Sequence, residues 1–279
     1  MAYKNILVHL SESRASENAV EAALSLAQNH GSRVVGLFAG LPYDMPQYVS
    51  AQLPPEVVEA YRQNTQEQAD KQIKAFEKRC SDADVKCDAR TGDWNDLIER
   101  VICTHARYAD LVIIGQPDPE MDGGYTRDAA DYIVLNAGSP VLLVPTRTAT
   151  HGFGGSVLVA WDGSANAARA IRDAMPMLEK AEKVKVLAVD PKPGKHGLGD
   201  LPGADIAHHL ALHGVVAEAE HMPSAGVDVG DVVLNEAANM GADLIVSGGY
   251  GHSRLGELIL GGVTDTLMKE MTVQVLMSH

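Results

Sequence analysis

The sequence predicts an α/β protein made of two doubly wound, five-stranded, parallel-sheet domains. Three observations carry this. Short β-branched runs alternate with longer amphipathic stretches, the pattern of a buried parallel sheet whose crossovers are helices. The second half of the chain repeats the first. The 279 residues, 46% hydrophobic and 22% charged, suit two domains of about 140 residues, each able to bury a core of its own.

The repeat is legible at both ends of each half. Ile6-Leu7-Val8-His9-Leu10-Ser11-Glu12-Ser13 aligns with Val157-Leu158-Val159-Ala160-Trp161-Asp162-Gly163-Ser164 at an offset of 151. Ala109–Gly115 aligns with Ala242–Gly248 at an offset of 133, which also sets Ser139–Val144 on Thr272–Met277. The first half therefore carries about 18 extra residues, expected in Leu41–Pro55, rich in Pro, Tyr and Gln, and in the long helix after it. The domains are expected at 1–147 and 154–279. They are joined by Thr146–Gly155, whose Gly152, Gly154 and Gly155 suit a flexible link.

In the second half the strands are expected at Ser156–Trp161, Lys183–Val189, Val215–His221, Ala242–Ser247 and Thr272–Met277. Helices are expected at Ala165–Ala181, Ala204–His213, Asp228–Met240 and Val263–Glu270. Five strands with four helical crossovers make a doubly wound domain. Ligands of such sheets sit beyond the carboxyl ends of the strands, where strand order reverses, so the loops after strands one, two and four are the places to look. The apolar final strands, Pro140–Pro145 and Val273–Met277, form edges that call for a partner, and pairing across the domains would supply one.

Charge narrows the function. Lys and Arg number 23 against 37 for Asp and Glu, a net charge of −14, which repels phosphate backbones and anionic membranes. Neither nucleic acid nor a membrane is an expected partner, and any bound phosphate must be held by local geometry. No apolar run has the length of a membrane span. Ile6–Leu10 before Ser11-Glu12-Ser13 is too short for a signal-peptide core. Three cysteines without a CxxC pair make neither a disulfide framework nor a zinc site. A cytoplasmic location is the expectation.

The chemistry-bearing stretch follows the fourth strand of the second half. Gly248, Gly251 and the pair Gly261-Gly262 are spaced G-x2-G-x9-G-G. Glycines let backbone N–H groups approach a phosphate, and Gly261-Gly262 precede a helix whose N-terminus attracts anions. The competing reading is that these glycines serve tight turns and helix packing. Asp162 and Val189 end the first and second strands at the same edge. Asp162 there contacts a ribose, a base edge or a metal, or else is a turn or capping aspartate before Gly163-Ser164. His252 and Arg254 are expected to be solvated. No G-x4-G-K-[ST] loop is present, nor a GxGxxG after the first strand. Ser247–Ser253 imitates a pyrophosphatase SGGxDS loop but follows the wrong strand and lacks its Asp.

With these residues in view the chain resembles the universal stress protein family in its tandem form. The resemblance spans nearly the whole chain: the ILV-x-x-D-G-S opening, the VLAVD strand, the GADLIVSGGYGHSRLGELILGGVTDTLM block and the short apolar last strand. The family motif is G-x2-G-x9-G followed by Ser or Thr. Gly262 departs from it, losing a hydroxyl but keeping the amide, which bears on affinity more than on geometry. The resemblance implies a Rossmann-like fold and a site for ATP or another adenine nucleotide. That site would be lined by Asp162, Val189, Gly248, Gly251, Gly261, Gly262 and Val263. It also implies a stress-responsive binding protein that forms a homodimer. The alternatives are a slow Mg²⁺-dependent ATPase, with Mg²⁺ near Asp162, and a nucleotide-free scaffold binding a metal or another small ligand. No catalytic residue is named.

The 133 offset sets Gly251 on Asp118, Gly261 on Asp128 and Gly262 on Ala129, and Ser11 stands in place of Asp162. Two carboxylates where a phosphate would approach repel it by about 1 kcal/mol or more each. Only Gly115 survives, so the first half is read as a structural or regulatory partner. Its Tyr43, Pro46, Tyr48 and Pro54 are expected in a variable loop rather than a pocket. Asp118–Gly123 imitates a calcium loop, but its twelfth position is Ala129. His208, His209, His213 and His221 are expected in solvent rather than on a metal. Cys103 and His105 lie two apart on a helix, hence on different faces.

Overall fold

The computed structural model describes residues 2–39, 54–93, 96–117, 126–147, 154–191, 202–249 and 262–279. The chain divides into two compact units, Tyr3–Ala137 and Gly138–His279.

The first unit runs β1 (Asn5–Leu10), α1 (Arg14–His30), β2 (Arg33–Phe38), α2 (Pro55–Asp82), β3 (Cys87–Thr91), α3 (Ile98–Ala106), β4 (Leu111–Gly115) and α4 (Arg127–Asn136). Its strands are parallel in the order β3-β2-β1-β4, so β1 lies between β2 and β4. The second unit runs β5 (Val141–Val144), β6 (Ser156–Ala160), α5 (Ala165–Leu178), β7 (Lys183–Val189), α6 (Ala204–Leu212), β8 (Ala217–Met222), α7 (Val229–Met240), β9 (Leu244–Gly248), α8 (Gly262–Glu270) and β10 (Gln274–Ser278). Its order is β5-β10-β9-β6-β7-β8. All its ladders are parallel except β5 with β10, which pair antiparallel with Leu142 opposite Leu276. The two apolar final strands thus find each other: β5, the last strand of the first repeat by sequence, is completed by the last strand of the second.

Burial explains the strand composition. Ile6, Val8, Leu111, Ile113, Leu158, Ile245 and Leu276 are fully buried, and central parallel strands covered on both faces have no polar side to alternate with. The outermost strands differ: β3 carries a half-buried Asp88 and an exposed Arg90, and β8 an exposed Glu218 and a half-buried Glu220.

The repeat is physical down to single bonds. Asp110 takes the amides of Lys4 and Asn5 on its carboxylate, at 2.7 and 2.9 Å. Asp243, 133 residues on, takes those of Gly155 and Ser156 at 2.9 and 3.4 Å. Each aspartate pins the start of its repeat's first strand to the start of the fourth. Ser13 and Ser164 cap α1 and α5, each hydroxyl accepting an amide at 3.1 Å three residues on, the usual way to satisfy a helix's first donors.

Several boundaries shift from the sequence expectation, β9 and β10 each beginning two residues later, at Leu244 and Gln274. The helix expected to reach Ala181 ends at Leu178, where the Lys180 and Ala181 amides turn back to the Met177 and Leu178 carbonyls. The strand expected from Val215 begins at Ala217, because the Val215 amide closes the end of α6 on the Leu210 carbonyl. The extra length of the first repeat resides chiefly in α2, which has 28 residues against 9 in α6. Phe76 of α2 is buried against β2 at Gly36, where a Cβ would stand 2.7 Å from the ring.

Candidate functional site

Strand β6 pairs with β7 on one side and β9 on the other: Ala160 lies opposite Leu187 and opposite Ser247. Strand order reverses here, since the chain leaves β6 toward β7 and returns on the far side as β9. Asp162, Val189 and Gly248 therefore follow, or end, three adjacent strands at one carboxyl edge. As the crossover from β9 to its parallel neighbour β10, α8 begins at that edge too, with Gly262 and Val263 in its first turn.

Asp162 serves its turn. Its Oδ1 accepts the Ser164 amide at 2.9 Å, and Gly163 supplies the left-handed backbone (φ 76°) that the turn needs. The carboxylate is exposed and faces solvent at the strand end. Val189 is half-buried. Asp190 after it adopts φ 45° and accepts the Ser224 amide at 3.0 Å. The Ser224 hydroxyl and amide hold its carboxyl below the usual carboxylate range. Asp190 is a further acidic group at this edge, written in the sequence only as the last letter of VLAVD.

Gly248 is required for packing. A Cβ there would stand 2.5 Å from the Ala167 nitrogen and 2.8 Å from the Asn166 carbonyl carbon. The first turn of α5 thus lies directly on the end of β9. The next residue is clamped: the Gly249 amide donates to the Ser278 carbonyl at 2.8 Å, and its carbonyl accepts from Asn166 Nδ2 at 2.6 Å. His279 Nδ1 lies 3.2 Å from the same carbonyl, and Arg169 donates to the His279 carbonyl at 2.6 Å. The root of the glycine-rich loop is therefore fixed. Gly251 and Gly261, with His252 and Arg254, lie outside the described residues.

Gly262 is exposed, and a Cβ added there would meet only Asp228 Oδ2, at 3.5 Å. Asp228 caps α7: its Oδ1 accepts the Gly230 amide at 2.8 Å and the Thr266 hydroxyl at 3.0 Å. Its carboxylate consequently stands beside the first turn of α8, offsetting part of the positive potential there. Val263 is half-buried and Thr264 buried.

The corresponding place in the first unit is filled by the protein's own hydroxyls. Ser16 Oγ accepts the Ser11 amide at 2.8 Å and donates to the His9 carbonyl at 3.0 Å, and the Ser11 and Ser13 hydroxyls share a bond of 3.0 Å. All three serines are buried. Gly115 repeats the packing role of Gly248, with a Cβ 2.6 Å from that of Ala15. The Ala129 amide, equivalent to that of Gly262, is taken by the Thr126 hydroxyl at 3.3 Å. Asp128 lies exposed in the same first turn, and Asp118 falls outside the described residues.

Sequence reasoning missed a cavity of about 390 Å³ between α1 and α2, floored by Leu10, Val20 and Phe76. Two cations of its lining are already paired: Lys71 meets Glu12 at 2.9 Å and Arg79 meets Glu21 at 3.4 Å. Tyr43, Pro46 and Tyr48 lie outside the described residues. Among the described residues no three His, Cys, Asp or Glu side chains converge as a metal site. His209 and His213 stack edge to face, with centroids 4.9 Å apart. Burial pushes the Cys103 thiol up to about 11 and lowers His105. No described helix is long and apolar enough to cross a membrane.

Comparison with known proteins agrees with this architecture. The model of the universal stress protein family matches residues 2–145 and 155–279. A universal stress protein from Archaeoglobus fulgidus shares the fold at a TM-score of 0.74, with 16% identity over 98% of this chain and 97% of its own. A Pseudomonas aeruginosa protein of unknown function gives 0.59, with 16% identity over 99% and 92%. An Arabidopsis thaliana family member with AMP bound covers 51% of this chain at 18% identity and a TM-score of 0.35. No curated protein matches the chain in sequence. With the family model matching almost end to end in two segments, the chain belongs to the universal stress protein family and carries its domain twice, in tandem.

Proposed function

We propose that the protein is a stress-response protein that binds ATP or another adenine nucleotide in its second repeat, while the first repeat is a structural or regulatory partner without nucleotide. The observation that carries this reading is the meeting of Asp162, Val189 and Gly248 at three adjacent strand ends where the sheet order reverses, the usual ligand position of such sheets. In this reading the amides of Gly251, Gly261, Gly262 and Val263 hold the phosphates. The exposed Asp162 carboxylate and Val189 hold the nucleoside. The choice of adenine follows the family resemblance. The asymmetry between the repeats is supported by the serine network and the Thr126 cap, which occupy the corresponding donors of the first unit. Homodimerisation of the tandem chain and a cytoplasmic location are parts of the same proposal. The net charge of −14 supports leaving nucleic acid out of it.

The test is calorimetric titration of ATP, with and without Mg²⁺, into protein stripped of co-purified ligand. One site per chain, lost in a Gly261→Asp variant that still folds, is the expected result. Two sites per chain, or a Gly261→Asp variant that binds as the parent does, would overturn the asymmetric reading. An absence of heat, with no adenine released on denaturation, would overturn nucleotide binding itself.

A further inference from the structure

We propose that β3, the outermost strand of the first unit, pairs antiparallel with β3 of a second copy of this chain, about a two-fold axis at Ala89. This gives the homodimer proposed above a surface, so it rests on that part of the reading and not on nucleotide binding.

Backbone direction decides which groups the strand offers. The Val34 amide donates to the Lys86 carbonyl at 2.9 Å, and the Gly92 amide to the Phe38 carbonyl at 2.8 Å. Successive residues of a strand turn their N–H and C=O groups to opposite sides. Lys86, Asp88, Arg90 and Gly92 therefore bond to β2, while Cys87, Ala89 and Thr91 turn theirs away from the sheet. Among the described residues no strand lies beyond β3. Such a row of outward donors and acceptors is a template for another strand.

Charge selects the occupant. The strand reads Cys-Asp-Ala-Arg-Thr. In an antiparallel pair about Ala89, each copy sets Asp88 opposite the Arg90 of the other, and the two-fold axis makes that contact twice. Ala89 faces Ala89 and Cys87 faces Thr91 as hydrogen-bonded pairs. Asp88 and Arg90 fall at the alternate positions, where facing side chains stand closest. Within the chain, Asp88 Oδ2 takes Arg33 at 2.7 Å and Arg90 at 3.3 Å, yet the Asp88 and Arg90 side chains remain 37% and 42% exposed. Registers about Asp88 or Arg90 would set like charges opposite each other, which is destabilising. The outermost strand of the second unit is the contrast. The Met222 carbonyl of β8 accepts the Asp190 amide at 3.1 Å, so Ala219 also turns outward, but pairing about Ala219 would set Glu218 opposite Glu220. The β8 edge rejects the arrangement that the β3 edge accepts.

The test is sedimentation velocity of the full-length chain over a concentration series. It is run at about 0.15 M salt, where charges more than about 8 Å apart are screened and the net charge of −14 opposes association least. A concentration-dependent monomer–dimer equilibrium is the expected result. Arg90→Asp should weaken it by about tenfold or more, and so should Asp88→Arg. Mixing these two variants should restore a dimer, because one strand is then doubly acidic and the other doubly basic. Ala89→Pro removes the amide on the axis without touching the ladder to β2. It should also give monomer, and it keeps the test sharp if Asp88→Arg does not fold. Ala219→Pro in β8 should leave the dimer unchanged. A dimer equally tight in Arg90→Asp and Ala89→Pro would overturn the β3 surface and leave the homodimer on another face. A parent chain that stays monomeric throughout would overturn the homodimer, and this surface with it.

Discussion

Gly248 and Gly262 belong to one motif yet meet opposite demands. At Gly248 a Cβ would press into the backbone of α5 at 2.5 Å, and backbone cannot step aside as a side-chain tip can. Gly248→Ala should therefore cost about 1–3 kcal/mol, read as a melting temperature lower by roughly 2–4 °C per kcal/mol. Gly115→Ala should do the same in the first repeat. At Gly262 the space is open, so Gly262→Ser should change stability by less than about 0.5 kcal/mol, and by restoring the family's hydroxyl it should tighten ATP binding in the titration above. An unchanged melt for Gly248→Ala would mean that α5 relaxes away from the strand. His9 sets a pH dependence at the same scale. Buried on β1, with Nε2 3.5 Å from the Ala39 carbonyl, it is lowered by burial from 6.5 to about 4. The unfolded chain therefore binds a proton between these values that the folded chain refuses. Stability from this group is complete above pH 6.5 and is lost as pH falls toward 4, by on the order of 3 kcal/mol. In urea melts at pH 7 and 4.5, His9→Leu should narrow the difference that the parent protein displays.

Among the elements, β7, β8 and α7 are joined by one cation. Lys185 reaches Glu220 at 2.6 Å and Glu236 at 2.7 Å, with side-chain exposures of 11% for the lysine, 39% for Glu220 and 13% for Glu236. The two carboxylates outweigh the cost of burying Lys185 and raise its pKa further. Removing the cation strands two acids, one of them nearly buried, so Lys185→Met should cost about 2 kcal/mol, less than the full penalty of a sealed ion pair. Glu220→Gln, at a half-exposed position, should cost under about 1 kcal/mol. Equal losses in chemical denaturation would mean that water screens both contacts alike. Helix α2 teaches what a pattern leaves out at this scale. The sequence predicts a long helix after the insertion, and the structure has one. Its packing over α1, however, which opens the cavity beside Leu10, depends on Phe76 entering the gap left by Gly36, a match between positions 40 residues apart.

For the whole molecule, the tandem design is legible in the sequence alone, because both offsets follow from covalent order. Asp110 and Asp243, Ser13 and Ser164, and Gly115 and Gly248 then prove to make matching contacts in their own units. The pairing of β5 with β10 was legible only as a need, since two apolar strands each lacking a partner do not specify direction, and the antiparallel register was settled by the fold. The loss of donors in the first repeat was half legible. The replacement of glycines by Asp128 and Ala129 is plain in the letters, whereas the use of the freed amides by Ser16 and Thr126 is not. The sequence by itself determined the fold class, the two repeats and the family, because hydrophobic period and residue order express these locally. Only the tertiary structure decided that Gly248 is held by helix packing, that Asp228 stands beside Gly262 and that His9 is buried. Each depends on distances between elements, which no local pattern encodes.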